Sequence, residues 1–167
     1  SRIAVRRAVR RLAGERVRVE IRHSPRRPPL ARIRAEGADA PAIPLAVSLT
    51  HRDGRTAAIA APAGAHVGID IERLGAVAPG QERWFLTSGE RERAERCGAL
   101  LWALKEAAWK ALALDGSVAF HELELDLDAD GELRAVFFRD TRWRAAASLA
   151  APWAGYVLAT VVLEEER

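Results

Sequence analysis

The sequence predicts an α+β fold made of two similar halves, each a helix followed by short strands. Two features point there. A basic amphipathic helix near the amino end is followed by strand-patterned runs, and a long central helix is followed by four more such runs. Helices and strands do not alternate singly as in a βαβ sheet, and no clear sequence repeat links the two sets. At 167 residues and 49% hydrophobic content, the chain suits one ordinary domain or two small halves sharing a core.

Taken in order, Ile3 to Leu12 reads as the basic helix, stopping before Gly14. Val17, Val19 and Ile21 alternate with Arg18, Glu20 and Arg22, the pattern of a half-buried strand. Ser24 to Pro44 reads as irregular because of Pro25, Pro28, Pro29, Pro41 and Pro44; its Arg26, Arg27, Arg32 and Arg34 make a solvated surface or an anion contact. Ala46 to His51 and Thr56 to Ala61 then form a hairpin across Arg52-Asp53-Gly54-Arg55, where Asp-Gly is the turn signal. His66 to Glu72 is the next strand. After Gly75, Pro79, Gly80 and the apolar Trp84-Phe85-Leu86, Thr87 or Ser88 caps a helix from about Gly89 to Leu114, ending at Asp115-Gly116. Strands follow at Phe120–Asp126, Leu133–Arg139, Arg144–Leu149 and Tyr156–Leu163, with a solvated acidic tail at Glu164–Glu166. The halves divide as 1–75, ending in the acidic strand, and 76–167, opening on the long helix.

Charge is unevenly spread. Residues 1–34 carry twelve Arg against Glu15 and Glu20, a balance of +10, which leaves −7 for the remainder. A basic amino-terminal part suggests a polyanionic partner. Nucleic acid fits poorly, since residues 1–34 contain no aromatic side chain on which bases could stack. No apolar run approaches the ~18 residues of a membrane span, and no signal peptide pattern opens the chain. The single cysteine, Cys97, excludes an internal disulfide and fits the reducing cytoplasm. A chain that starts at Ser1 and contains no Met reads as an excised or embedded domain.

Of 26 basic residues only Lys105 and Lys110 are lysines, six positions of one helix. A compact ammonium with rotating donors suits a moving phosphate or a crowded pocket better than a planar guanidinium. At ~100° per residue, Leu100, Leu101, Leu104, Ala107, Ala108, Ala111 and Leu112 form one apolar arc. Trp102, Glu106, Trp109 and Lys110 fall on the opposite arc, with Lys105 at its edge, so a second surface must cover that face. In the strand, Val67, Ile69 and Ile71 point one way, and Gly68, Asp70 and Glu72 the other. The two acids then lie ~7 Å apart at Cα, a separation one hard cation bridges. With no Cys/His cluster for zinc, Mg²⁺ is the candidate. Gly68 leaves room for something to approach the same face. His51 ends its strand near the hydroxyls of Ser48 and Thr50, and Glu90 sits in the first turn of the long helix.

Ser48-Leu49-Thr50-His51, Val67-Gly68-Ile69-Asp70-Ile71-Glu72, Phe85…Glu90 and Trp102-Ala103-Leu104-Lys105-Glu106-Ala107-Ala108-Trp109-Lys110 together resemble the ordered motifs of the 4′-phosphopantetheinyl transferases. The type most similar is the surfactin-synthetase-activating one, a single chain whose two halves are related by a pseudo-two-fold. The resemblance runs from about Ala46 to Gly116. It implies transfer of the phosphopantetheine arm of coenzyme A to a serine of an acyl or peptidyl carrier protein, in fatty acid or polyketide biosynthesis, with release of 3′,5′-ADP. By motif position, Asp70, Glu72 and Glu106 would hold Mg²⁺, and Lys105 and Lys110 would meet phosphate oxygens. His51, with Ser48 beside it, would meet the phosphorylated ribose. Arg27, in Arg26-Arg27-Pro28, stands where the family has the Lys of Gly-Lys-Pro. Glu106 or a metal-bound water would deprotonate the carrier serine, with Glu90 as the second candidate. Only 16 positions separate Glu90 from Glu106, a trimmed form of the segment expected to receive the carrier. Two halves in one chain let a monomer suffice, the trimer of the related short transferases being the alternative. A catalytically silent carrier-docking domain of a larger synthase is the alternative to an enzyme.

Overall fold

The computed structural model describes residues 2–14, 17–22, 30–35, 41–93 and 98–166. It is an α+β fold with two antiparallel sheets. The first contains β1 (Val17–Arg22), β2 (Leu30–Ala35), β3 (Ile43–Arg52) and β4 (Arg55–Pro62), in chain order. Helix α1 (Arg2–Ala13) covers one face, burying Val5 and Val9 against Ala31, Leu45 and Val47. Its arginines stay on the outside, the outcome expected of a two-faced helix. The β3–β4 hairpin turns on Asp53 and Gly54, both at positive φ (45° and 75°), the conformation that a two-residue connection requires.

The second sheet has the order β5-β9-β8-β7-β6, comprising β5 (His66–Arg73), β6 (Leu123–Leu127), β7 (Leu133–Phe138), β8 (Thr141–Ala150) and β9 (Tyr156–Glu165). Helix α3 (Gly98–Ala111) lies on it. Ala103, Leu104, Ala107, Ala108 and Ala111 pack there on Leu123, Leu125, Leu133, Val136, Val157, Ala159, Val161 and Leu163. Among the described residues no helix is long and apolar enough to cross a membrane.

Three sequence expectations shift. The stretch read as irregular contains β2, in which Ala31 and Ile33 face α1 while Arg32 and Arg34 are exposed. Its prolines flank the strand or, as Pro44, enter β3, and their number hid a six-residue alternation. The long helix is present as α2 (Ser88–Arg93) and α3, and Cys97 lies outside the described residues. It ends earlier than Asp115-Gly116, because Ala113 turns left-handed (φ 54°) and two backbone bonds close a Schellman motif. These run from Ala113 N–H to the Lys110 carbonyl (3.1 Å) and from Leu114 N–H to the Trp109 carbonyl (3.2 Å). Finally, the acidic strand assigned to residues 1–75 hydrogen-bonds to β9, so the boundary between the two sheets falls between β4 and β5.

Strand β5 is where the sheets meet. It is an edge strand, yet its six residues Val67–Glu72 are all buried. Its outward amides are satisfied by side chains of β3 instead of a further strand: Ile69 N–H donates to Ser48 Oγ (3.2 Å) and Ile71 N–H to Thr50 Oγ1 (3.3 Å). On the other side, α3 approaches so closely that a Cβ on Gly68 would stand 1.7 Å from the Ala107 carbonyl oxygen. Only glycine permits that contact. Gly68→Ala is therefore expected to destabilise the fold by at least the ~3 kcal/mol at the top of the usual overpacking range. Chemical denaturation followed by circular dichroism checks this.

Candidate active site

Contact at Gly68 sets α3 across the strand so that one helical stripe, Trp102, Glu106 and Lys110 at i, i+4 and i+8, lies along Asp70 and Glu72. Ligand oxygens of Asp70, Glu72 and Glu106 all fall within 4.8 Å of one another. Asp70 and Glu72 are buried, and Glu106 is partly so. Lys110 Nζ donates to Asp70 Oδ1 at 2.6 Å.

Each strand acid has one oxygen committed and one not. Asp70 Oδ1 accepts from Lys110 and from Thr50 Oγ1 (3.0 Å). Glu72 Oε1 accepts from Arg52 Nη1 (3.1 Å) and Trp102 Nε1 (3.2 Å). Asp70 Oδ2 and Glu72 Oε2 are buried with no hydrogen-bond partner among the described residues. A buried, unpartnered carboxylate oxygen is costly. Two of them beside a third carboxylate fit one hard divalent cation, which takes oxygen ligands of this type.

The electrostatics point the same way. The Glu106 carboxyl is pushed up to about 7, first by burial and then by the charge of Asp70, with Lys110 opposing. Burial likewise raises Glu72, against the pull of Arg52. Three acids face two cations here, so one negative charge is left uncompensated unless a proton or a metal ion supplies the balance.

Lys105 and Glu90 stand elsewhere. Lys105 is fully buried and its ammonium is bonded to Glu90, itself 2% exposed. Glu90 also accepts from Thr87 N–H (2.7 Å) and, through Oε1, from Leu125 N–H (2.6 Å). With Thr87 Oγ1 accepting from Glu90 N–H (3.2 Å), this is a capping box at the start of α2 that also ties α3 and β6 together. Helix position explains it: Lys105 is one residue, some 100°, away from the stripe that carries Glu106. Burial lowers the Lys105 ammonium from its ordinary value.

Ser48 is buried and occupied with the Ile69 amide. His51 is exposed, and by strand alternation it shares the α1 face with Val47 and Leu49, opposite to Thr50 and Arg52. Arg27 lies outside the described residues. What sequence reasoning missed is Arg52, whose only signal was its even spacing from Ser48 and Thr50. Arg52 and Glu72 also line a cavity of about 440 Å³, otherwise walled by Trp84, Phe85, Trp102, Phe120 and neighbours. Phe85 and Phe120 meet the Trp102 ring at 4.7 and 4.8 Å, and Phe120 also meets Trp109 at 5.6 Å. Those rings are the cover that the second helix face demanded.

Residues 66–161 match the family model described as ACPS, the 4′-phosphopantetheinyl transferase superfamily. Among solved structures, the chain is similar to a holo-(acyl-carrier-protein) synthase from Bacillus anthracis str. Ames in complex with CoA (3′,5′-ADP). That likeness has 23% identity and a TM-score of 0.46, covering 61% of this chain and 96% of the other. The acyl carrier protein synthase of Mycobacterium tuberculosis is similar at 23% identity and a TM-score of 0.44, covering 62% of this chain and all of the other. No curated protein matches the chain.

Two outcomes follow from the charges. Between the unfolded carboxyl value of 4.5 and the folded value of about 7, the folded chain holds the Glu106 proton more tightly, so stability falls as pH rises through that window. In EDTA the protein is expected to melt at a lower temperature at about pH 8 than at about pH 5.5, and Glu106→Gln to flatten the difference. Lys105→Met, which strands the Glu90 charge, is expected to cost about 3–5 kcal/mol in denaturant titrations. Adding Glu90→Gln should recover part of that loss.

Proposed function

The chain belongs to the 4′-phosphopantetheinyl transferase superfamily, and from that premise we propose that it transfers the 4′-phosphopantetheine arm of coenzyme A to a serine of an acyl or peptidyl carrier protein, releasing 3′,5′-ADP. The observation that carries this reading is the cluster of Asp70, Glu72 and Glu106, with its two unpartnered buried oxygens. These three would hold Mg²⁺, which when bound supplies neutralisation of diphosphate charge.

The residues divide the remaining work. The serine oxygen forms a bond to the phosphorus that carries the pantetheine arm, and the bridging P–O bond to the nucleotide breaks. Phosphoryl transfer of this kind needs alignment and charge stabilisation more than covalent help. Lys110, whose ammonium donates to Asp70 at 2.6 Å and to the Ile69 carbonyl at 3.4 Å and is still partly exposed, is placed to offer its third donor to a phosphate oxygen. Glu106, the one acid of the cluster carried by α3, is the side chain placed beside the ion site to receive the serine proton. The aromatic-walled cavity beside Glu72 suits the methyl and methylene groups of the uncharged arm of the coenzyme. The Arg-rich amino end, with Arg2, Arg6, Arg7, Arg10 and Arg11 exposed on α1, complements an acidic carrier protein.

Intact-mass analysis of apo-carrier proteins incubated with the chain, coenzyme A and Mg²⁺ tests the reading. A gain of one phosphopantetheine is expected, and Asp70→Ala should slow it by ~10²–10³-fold or more while leaving the far-UV spectrum unchanged. An Asp70→Ala variant that modifies the carrier at the wild-type rate would remove the cluster from the chemistry.

A further inference from the structure

Both strand acids are held by one charged and one neutral donor, and the neutral donors have no place in the chemistry above. Thr50, from the first sheet, donates to Asp70 Oδ1 at 3.0 Å; Trp102, from α3, donates to Glu72 Oε1 at 3.2 Å. Each donates to the oxygen that already accepts from a cation and leaves the other, Asp70 Oδ2 or Glu72 Oε2, without a partner among the described residues, and each is itself immobilised. Thr50 Oγ1 accepts the Ile71 N–H (3.3 Å), which leaves its hydroxyl proton to point at Asp70. The Trp102 ring is fixed between Phe85 and Phe120, with ring centres 4.7 and 4.8 Å away.

A carboxylate on a rotatable stem can present either oxygen, or both, to a cation. A rigid donor on one oxygen removes that choice. We propose that Thr50 and Trp102 are positioning residues that lock Asp70 and Glu72 with Oδ2 and Oε2 turned towards Glu106, so that a divalent cation meets a preset three-oxygen site. This rests on the reading of the cluster as a cation site. Lys110 and Arg52 grip the same two oxygens, but their positive charge also opposes a cation, whereas Thr50 and Trp102 orient the ligands without that penalty.

Mn²⁺ binding to the metal-free protein, read from the paramagnetic resonance signal of the unbound ion, tests this without turnover. Thr50→Val keeps charge and shape, and Trp102→Phe keeps charge and an aromatic ring while removing the N–H donor. Each is expected to weaken Mn²⁺ binding about 10-fold, with Thr50→Ser, which restores the hydroxyl, within about 2-fold of the wild type. Variants that keep the wild-type far-UV spectrum and bind Mn²⁺ equally well overturn the positioning role while leaving the cation site intact. A wild-type protein that binds no Mn²⁺ overturns both. Should a variant fail to fold, the wild-type indole N–H resonance of Trp102 carries the test. It is expected to shift with Mg²⁺ along the same isotherm as cation binding, and a resonance that stays in place overturns the proposal.

Discussion

Everything at the site rests on the contact between the bare backbone at Gly68 and the Ala107 turn of α3. A side chain at 68 would drive its Cβ to 1.7 Å from the Ala107 oxygen and 2.9 Å from the Ala111 amide nitrogen. With it absent, the helix lies flat on the strand, and residues four apart on the helix reach residues two apart on the strand. Trp102 meets Glu72 and Lys110 meets Asp70, with Glu106 between them. The alanines at 103, 107, 108 and 111 serve the same end, since larger side chains would lift the helix off the sheet.

The second sheet does not complete the site alone. Strand β5 is an edge whose amides need partners, and β3 supplies them through Ser48 and Thr50. Because β3 side chains alternate, this union also brings Arg52 to Glu72 and Thr50 to Asp70, and turns His51 the other way. The first sheet thus contributes structure and charge to a centre that the second sheet and α3 carry. That centre holds three carboxylates against two cations, and burial, followed by the charge of Asp70, raises the Glu106 carboxyl. A divalent ion would settle the imbalance, and would return that carboxyl towards its ordinary range.

Much of this was legible in residue order. Alternation in Val67–Glu72 placed the acids on one face, helical spacing placed Glu106 and Lys110 together, and Asp-Gly marked the hairpin that β3 and β4 form. What could not be read was tertiary. Nothing local says that β5 pairs with β9, 90 residues on. Lys105 resembles Lys110 in sequence, and only the ~140° between them around the helix puts one ammonium, buried, on Glu90 and the other on Asp70. Arg52 carries no motif of its own. The proline-rich segment concealed β2, because flanking prolines speak louder than a short run of Ala31 and Ile33 between arginines.

The role of the three acids turns on whether one ion occupies the space among them. Crystals equilibrated with Mn²⁺ and measured at the manganese absorption edge would show it directly. A single anomalous peak within coordinating distance of Asp70 Oδ2, Glu72 Oε2 and a Glu106 oxygen is the expected result. Manganese bound elsewhere on a correctly folded chain, with those oxygens facing only protein or water, would contradict a shared ion at the three acids.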